Sequence, residues 1–265
     1  MERVDGKQQN LEEEDYSYKR KNPGSLEYHR KDFEKEKNPY AEVEGFVIED
    51  GLTVEDSALW TPLARLAAVM TLSDEELLEK GDKELINEES AIRLWTFLQI
   101  ITGHDHTVKN VFNIAKYNDY LKYNYEFQFA PWDMDLTWGN VSVGEVNPYN
   151  TAYERDTIDN RVYWDVGERL LETDNNNSVA YMEDFYTTLR KNVLTDEKLE
   201  EMILELDHEL RDSGAFGTDK ERSPEGIHAD SSEVLLSYAL GRLEFLDKAL
   251  YNLESFVDYT EEASF

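Results

Sequence analysis

Hydrophobic and polar residues follow a helical period in the segment before the middle of this chain. From Val54 to about Ile101 the apolar residues recur every three or four positions, which predicts a series of helices. One of them carries a capping box, with Ser73 as N-cap and Glu76 three residues later. The run NEESAIRLWTFLQIITG is apolar on nearly all sides, so it predicts a buried helix that ends at Gly103.

The period then changes to the alternation of half-buried strands. NVFNIAKY and YEFQFAPW are two such stretches, and the polar turn NDYLKYN joins them. They predict a β-hairpin over about residues 110–132. Upstream, residues 1–50 are polar, so we predict an irregular segment there with one short strand in GFVIEDG.

After the hairpin the helical period returns, and polar turns such as DNNN and DSGAFGTDKERSPEG separate the segments. We therefore expect a mainly helical α+β fold, a single domain over 1–265 whose helical body spans 51–265 and includes the hairpin. The helices predicted after the hairpin are YWDVGERLLETD, SVAYMEDFYTTLRKNVL, TDEKLEEMILELDHELRD and SEVLLSYALGRLEFLDKALYNLESF.

The charge of the chain limits the classes of molecule that it would bind. The 265 residues include 58 acids and 27 bases, for a formal net charge of −31. A field of that sign repels nucleic acid and anionic membranes and attracts cations and basic proteins, although acidity also serves solubility alone. No apolar run approaches the roughly 20 residues of a membrane span, and the opening MERVDGKQQNLEEED is unlike a signal peptide. The absence of cysteine excludes thiol nucleophiles and thiolate metal sites.

The hairpin is flanked by oxygen-bearing side chains. Asp105 and Asn110 lie in the turn that enters the first strand, and Asp133 and Asp135 follow the second strand. Antiparallel pairing brings both segments to one end of the hairpin, and Asp133 and Asp135 would share a face if the chain stayed extended. A divalent cation relieves the repulsion within such a cluster, and oxygen ligands suit Mg²⁺ or Mn²⁺. A single Asp here would instead cap a turn or face water.

The spacing of Asp105 and Asn110 makes the metal-site interpretation more specific. Asp105 and Asn110 are separated as in D-x-x-x-x-N and His104 precedes the Asp, a pattern similar to the H-R-D-x-x-x-x-N catalytic loop of protein kinases. In that loop the Asp accepts the proton of the substrate hydroxyl and the Asn binds a metal ion. A second Asp after a hairpin strand binds the metal that bridges the phosphates, a role open here to Asp133 or Asp135.

GHDHTVKNVFNI followed by FQFAPWDMDLTWGN resembles the core of the spore coat protein H (CotH) family of atypical protein kinases. That family shows an Asp, an Asn five positions later, and then a Pro-Trp-Asp-x-Asp-x-x-x-Gly segment. INEESAIRLWTFLQIITG resembles the helix before its catalytic loop, and LLSYALGRLEFLDKAL resembles its closing helix. The opening MERVDGK…YSYKRKN resembles its hinge, so the resemblance covers most of the chain.

The resemblance implies a protein-kinase-like C-terminal lobe that transfers the γ-phosphoryl group of ATP to serine hydroxyls of proteins. Asp105 would orient or deprotonate the hydroxyl, Asn110 and Asp133 would bind Mg²⁺ or Mn²⁺, and Asp135 would be a second ligand or a support. Kinases usually carry a lysine two residues after the catalytic Asp. Here Lys109 comes later, and it would either contact the ATP phosphates or remain a solvated strand-edge lysine.

The resemblance also implies that the N-terminal lobe is largely missing and that Met1 is an internal methionine, so that the chain is a C-lobe fragment. Its substrates would be serine-rich, often basic, proteins of the spore coat or the extracellular space. The sequence does not determine the oligomeric state. Two alternatives stay open: a non-catalytic pseudokinase or coat-assembly module, and a haloacid-dehalogenase-type phosphohydrolase in which DMDLT supplies Asp133 as nucleophile and Asp135 as acid and base.

Overall fold

A computed structural model describes most of the chain. Within the described residues the fold is mainly helical with one antiparallel sheet, which confirms the predicted mainly helical α+β class. The chain forms two compact units, and the single-domain assignment over 1–265 stays a prediction. The first unit comprises Met1–Trp95, Asp105–Met134 and Tyr163–Met182, and the second comprises Thr96–His104, Asp135–Val162 and Glu183–Phe265. The described residues are 15–20, 46–50, 60–79, 82–103, 109–140, 155–156, 165–222 and 232–251.

The first unit contains a four-stranded sheet of order β2-β1-β3-β4, in which all neighbours pair antiparallel. The predicted hairpin is confirmed, and so is the strand predicted in GFVIEDG. The irregular segment predicted over 1–50 was wrong at YSYKR, which forms a central strand. The strands are β1 (Tyr16–Arg20), β2 (Phe46–Asp50), β3 (Val111–Tyr117) and β4 (Tyr125–Pro131).

Strand β1 is held by buried aromatic and polar contacts. Tyr18 is completely buried, and its ring lies 5.9 Å from the ring of Trp60 and 6.3 Å from that of Phe127. Desolvation by this burial raises the pKa of Tyr18 far above its usual range. At the start of the strand, the buried Asp15 carboxylate accepts a hydrogen bond from Lys116 Nζ at 2.7 Å. These contacts attach β1 to β3 and to the helices.

The helices of the first half agree with the sequence pattern. The capping box is present, because Ser73 and Glu76 exchange side-chain-to-backbone hydrogen bonds, but the helix that it begins is only four residues long. The helix predicted to be buried and to end near Gly103 is buried as expected. These elements are α1 (Thr61–Val69), α2 (Asp74–Leu77), a 3₁₀ turn (Lys83–Leu85) and α3 (Glu88–Ile101).

The second half is helical, as predicted, with two corrections. The stretch DNNN was interpreted as a polar turn, whereas only Asp174 lies outside a helix and the three asparagines begin the next one. The polar stretch DSGAFGTDKERSPEG was interpreted as a turn, whereas its middle forms a helix whose residues are nearly all exposed. Such a helix has no apolar stripe by which the sequence pattern would reveal it. The helices are α4 (Asp165–Thr173), α5 (Asn175–Asn192), α6 (Asp196–Asp212), α7 (Ala215–Arg222) and α8 (Ser232–Tyr251). None of the described helices is long and apolar enough to span a membrane.

In the first unit, α4 packs tightly against Trp95 of α3. A Cβ at Gly167 would lie only 2.7 Å from the Cβ of Trp95, so only glycine allows this approach. One position later, Glu168 accepts a hydrogen bond from the Trp95 indole Nε1 at 2.7 Å. Burial raises the pKa of Glu168 to about 7, and the indole hydrogen bond offsets part of that effect.

In the second unit, a buried arginine of α8 caps the end of α3. Arg242 is completely buried, and its Nε and Nη2 donate to the carbonyl oxygen of Gln99 at 3.0 and 2.7 Å. Its Nη1 donates to the carbonyl oxygen of Arg155 at 2.8 Å. The last carbonyls of a helix have no partner within the helix and carry the negative end of its dipole, so a guanidinium is well suited to this position.

We expect Arg242→Lys to lower the free energy of unfolding by about 2–4 kcal/mol, because an ammonium group cannot reproduce the fork that bonds two separate carbonyls. Urea denaturation followed by circular dichroism measures this. Arg211→Lys on the exposed surface of α6 is the control and should cost about 0.5 kcal/mol or less. Equal losses for the two variants would contradict the capping role of Arg242.

We expect Glu168→Gln to stabilise the protein at about pH 8 and to change little at about pH 5. The pKa of Glu168 is raised from 4.5 to about 7 in the folded protein, so the folded state keeps a proton that the unfolded state releases. The free energy of unfolding therefore falls as pH rises through that window. The gain at pH 8 is at most about 3 kcal/mol.

The comparison of melting temperatures at the two pH values tests this, and glutamine keeps the acceptor for the Trp95 indole. Glu183→Gln on the exposed surface of α5 is the matched control, for which we expect no pH-dependent gain. A Glu168→Gln effect of the same size at both pH values would show that packing, and not ionisation, is responsible.

Candidate active site

The open end of the hairpin brings two of the predicted site residues together. Strands β3 and β4 pair in continuous register from Val111 opposite Pro131 onwards. Beyond the last pair, the backbone N–H of Trp132 donates to the carbonyl oxygen of Asn110 at 2.9 Å. Asn110 and the residue after Trp132, Asp133, therefore lie at the same end of the sheet in the first unit.

Asn110 and Asp133 also share an uncommon backbone conformation. Their φ angles are +61° and +56°, in the left-handed region, where Asn and Asp are enriched among non-glycine residues. Strand β4 has ended at Pro131, and the chain turns at Met134 and Asp135. The chain does not stay extended here, so the condition under which Asp133 and Asp135 would share one face is not met.

The donor chemistry at this end suits a hard divalent cation. Asn110 is only 4% exposed and supplies an amide oxygen, while Asp133 is exposed and supplies a carboxylate. Mg²⁺ is commonly bound through one or two carboxylates and retains several waters, so an Asn and an Asp fit its requirements. Within the described residues there is no group of three or more His, Cys, Asp or Glu side chains that would hold a metal by themselves.

The remaining predicted residues are placed as follows. Asp105, the proposed catalytic residue, lies outside the described residues, as does His104. Lys109 is half-buried at the start of the described segment, and its contact with phosphate stays a prediction. Asp135 belongs to the second unit, where its carboxylate is exposed and its backbone carbonyl accepts a hydrogen bond from Asn140 Nδ2 at 2.7 Å.

Trp132, beside the acidic motif, is held by packing. Its ring meets that of Phe112 edge to face, with centroids 5.7 Å apart. On β1, Lys19 pairs with Phe112, and its Nζ lies 4.9 Å from the centroid of the Trp132 ring. Sequence reasoning missed Lys19 because β1 itself was not predicted. The cation–π contact adds support to the residue that precedes Asp133.

In the second unit, the segment after the acidic motif binds the end of α3. Thr102 has a φ of +51°, which is rare for a β-branched residue. Its hydroxyl donates to the carbonyl of Ile101 at 2.7 Å and accepts from the backbone N–H of Gly139 at 3.3 Å and from the hydroxyl of Tyr238 at 3.4 Å. The backbone N–H of Trp138 donates to the Ile101 carbonyl. The three hydrogen bonds of the Thr102 hydroxyl use its one donor and both of its acceptor sites.

Gly139 is needed at this point for two separate reasons. Its φ is +81°, and a Cβ would lie 2.6 Å from the ring of Tyr238. The position thus combines a left-handed backbone with contact against a buried ring on α8. The glycine of the predicted motif therefore has a structural role in the second unit.

The dehalogenase alternative does not fit the strand context. In that class the first Asp follows a buried strand of a parallel sheet, with further strand–helix units after it. Here β4 is an antiparallel edge strand, and the described segments beyond residue 140 are helical. The DMDLT letters therefore occur without the architecture that their chemistry requires.

The described residues define an α+β protein that has an amide and a carboxylate at one hairpin end, which are ligand types that suit hard divalent cations. The family model described as CotH kinase protein matches residues 1–246 of the 265-residue chain. The chain therefore belongs to the CotH kinase family, which confirms the resemblance in its sequence and indicates a kinase-like function in general. No curated protein matches the chain.

We expect Gly139→Ala to lower the free energy of unfolding by about 2–4 kcal/mol, combining left-handed strain with overlap against the Tyr238 ring. Gly214→Ala is the matched control: its φ is +73°, yet nothing lies within 4 Å of its Cβ position. That control should cost only about 1–2 kcal/mol.

Chemical denaturation of both variants and of a double-mutant cycle with Tyr238→Leu separates the two effects. Tyr238→Leu should relieve part of the loss in the Gly139→Ala background. If the two glycine variants lose equal stability and the cycle shows no coupling, the ring contact does not contribute.

Proposed function

We propose that this chain is the C-terminal lobe of an ATP- and Mg²⁺-dependent kinase that transfers the γ-phosphoryl group to serine hydroxyls of proteins. The observation that carries the proposal is the placement of Asn110 beside the segment of Asp133 at one end of the hairpin, in a chain of the CotH kinase family. An amide and a carboxylate so placed are the types of metal ligand that phosphoryl transfer by kinases requires.

Each residue takes a definite role in this proposal. Asp105 orients the substrate serine and accepts its hydroxyl proton, as the serine oxygen bonds to the γ-phosphorus and the bond to the ADP oxygen breaks. Asn110 and Asp133 hold Mg²⁺, with Asp135 as a second ligand or a support. When bound, the ion neutralises charge on the phosphates. Lys109 contacts the phosphates of ATP.

Charge supports a class of substrate. A net charge of −31 raises the local concentration of basic proteins, so serine-rich proteins with many Lys or Arg residues are the favoured substrates. In keeping with the family, we propose a protein that acts in the spore coat or outside the cell. Its substrates are then structural proteins of the coat or secreted proteins.

We expect Asp133→Asn to lower kcat/KM for peptide phosphorylation by about 100-fold or more, because it removes the charge that holds the metal while keeping the shape and the left-handed tolerance of the residue. Asp105→Asn should have an effect of similar size. The assay follows transfer of labelled γ-phosphate from ATP to a synthetic serine- and arginine-rich peptide. It is run with the 265-residue chain and with a longer form that includes any coding sequence found upstream.

Asp119→Asn is the matched control, since Asp119 is an exposed residue in the turn at the opposite end of the same hairpin. Mn²⁺ binding measured by electron paramagnetic resonance gives a readout independent of turnover. Activity that both site variants retain would exclude the assigned site. Absence of phosphorylation by every form, with Mn²⁺ binding intact, would favour the non-catalytic alternative.

A further inference from the structure

Helix α6 of the second unit carries an apolar stripe that is covered only over its first turn. Leu199, Ile203, Leu206 and Leu210 are spaced by four, three and four residues, so they lie along one side of the helix. Leu199 is 5% exposed, whereas Leu206 is 59% and Leu210 is 49% exposed. A stripe of the type that normally faces a core therefore emerges into solvent over the last two turns.

The exposed end of the stripe is joined by a further apolar side chain, Met202, which is 39% exposed. Met202, Leu206 and Leu210 form one row of exposed side chains at four-residue spacing, which we name the α6 ridge. The helix packs against α7 and α8, and the ridge stays exposed beside those contacts. Single exposed leucines are ordinary on protein surfaces, but a row of three apolar side chains along one helix is typical of a binding face.

A row of carboxylates borders the ridge. Glu201, Glu205 and Glu209 each precede a ridge residue by one position, so they form a parallel row, and all three are exposed. On the other flank of the ridge, Asp207 is paired with Arg211, and that hydrogen bond lowers the pKa of Asp207. The row beside the ridge thus presents three acidic side chains to whatever covers the leucines.

We propose that the α6 ridge binds an amphipathic helix of a basic partner protein. Apolar anchors of the partner would cover Leu206 and Leu210, and its Lys or Arg residues would pair with the row from Glu201 to Glu209. The inference depends on α6 alone and holds whether or not the chain transfers phosphate.

Charge selects this partner over the other candidates. A second copy of the chain would bring one acidic row towards another and one net charge of −31 towards another, which is unfavourable. Nucleic acid and anionic membranes carry the same sign as the row and are repelled. A cationic helix satisfies both the apolar ridge and the carboxylates.

The test uses the full 265-residue chain and a synthetic, fluorescently labelled helical peptide of roughly 18 residues, about five helical turns. The peptide has leucines along one face and lysines on the flanking positions, and its matched partner replaces every lysine by glutamate. We expect saturable binding of the lysine peptide in fluorescence anisotropy, no binding of the glutamate peptide, and affinity that falls as salt rises.

Leu206→Ser should weaken binding of the lysine peptide about tenfold, because a leucine that becomes buried in the complex is lost. Leu204→Ser is the matched control: Leu204 is 45% exposed on the same helix but lies on the opposite side, so its affinity should stay unchanged. Unchanged melting temperatures show that both variants are folded.

Reversal of the acidic row, with Glu201, Glu205 and Glu209 all replaced by Lys, should exchange the preference, so that the glutamate peptide binds and the lysine peptide does not. Glu200→Lys, on another side of α6, is the control for charge alone. Equal effects of Leu206→Ser and Leu204→Ser, or indifference to reversal of the row, would overturn the proposal. A further contrary result would be a dimer, seen by sedimentation at high protein concentration, that Leu206→Ser abolishes. The ridge would then be an interface between two copies of the chain.

Discussion

The end of α3 is the point on which the second unit depends. A helix that ends in a buried place must find donors for its last carbonyls, and here α8 and the segment after the acidic motif provide them. Arg242 donates hydrogen bonds to the carbonyl oxygen of Gln99. Next to this carbonyl, the hydroxyl oxygen of Thr102 accepts hydrogen bonds from the backbone N–H of Gly139 and from the hydroxyl of Tyr238. These bonds satisfy the last turn of α3 and hold it against α8 within the second unit.

In the first unit, a backbone hydrogen bond likewise fixes the end of the hairpin. Its sheet ends where the backbone of Trp132 bonds that of Asn110, and the residues flanking this bond adopt left-handed conformations. Asn and Asp tolerate that conformation better than other side chains and are also ligands for hard cations. The residue types that suit this backbone are therefore those that suit metal binding, which fits the membership of the chain in the CotH kinase family.

Charge affects this protein at two scales. Over the whole chain, the formal net charge of −31 favours basic partners at long range, and salt screens this attraction. Locally, carboxylates differ in their surroundings: Glu168 is buried beside an indole and has a raised pKa, whereas the row along α6 is exposed beside an apolar ridge. We expect the first arrangement to make stability depend on pH, and we propose that the second selects partners by the sign of their charge.

Local patterns determined a large part of this fold. The capping box at Ser73, the buried helix before Gly103 and the hairpin over about 110–132 depend on residues close in sequence, so they were visible in the chain alone. The family motif was equally visible, because its residue types and spacing are unusual. Tertiary structure decided what depends on distant partners. Strand β1 has the polar sequence YSYKR, without the apolar run that revealed β2, and two neighbouring strands pair with it. The turn after Pro131, the capping of α3 by Arg242 and the burial of Glu168 are likewise set by contacts between residues far apart in the chain.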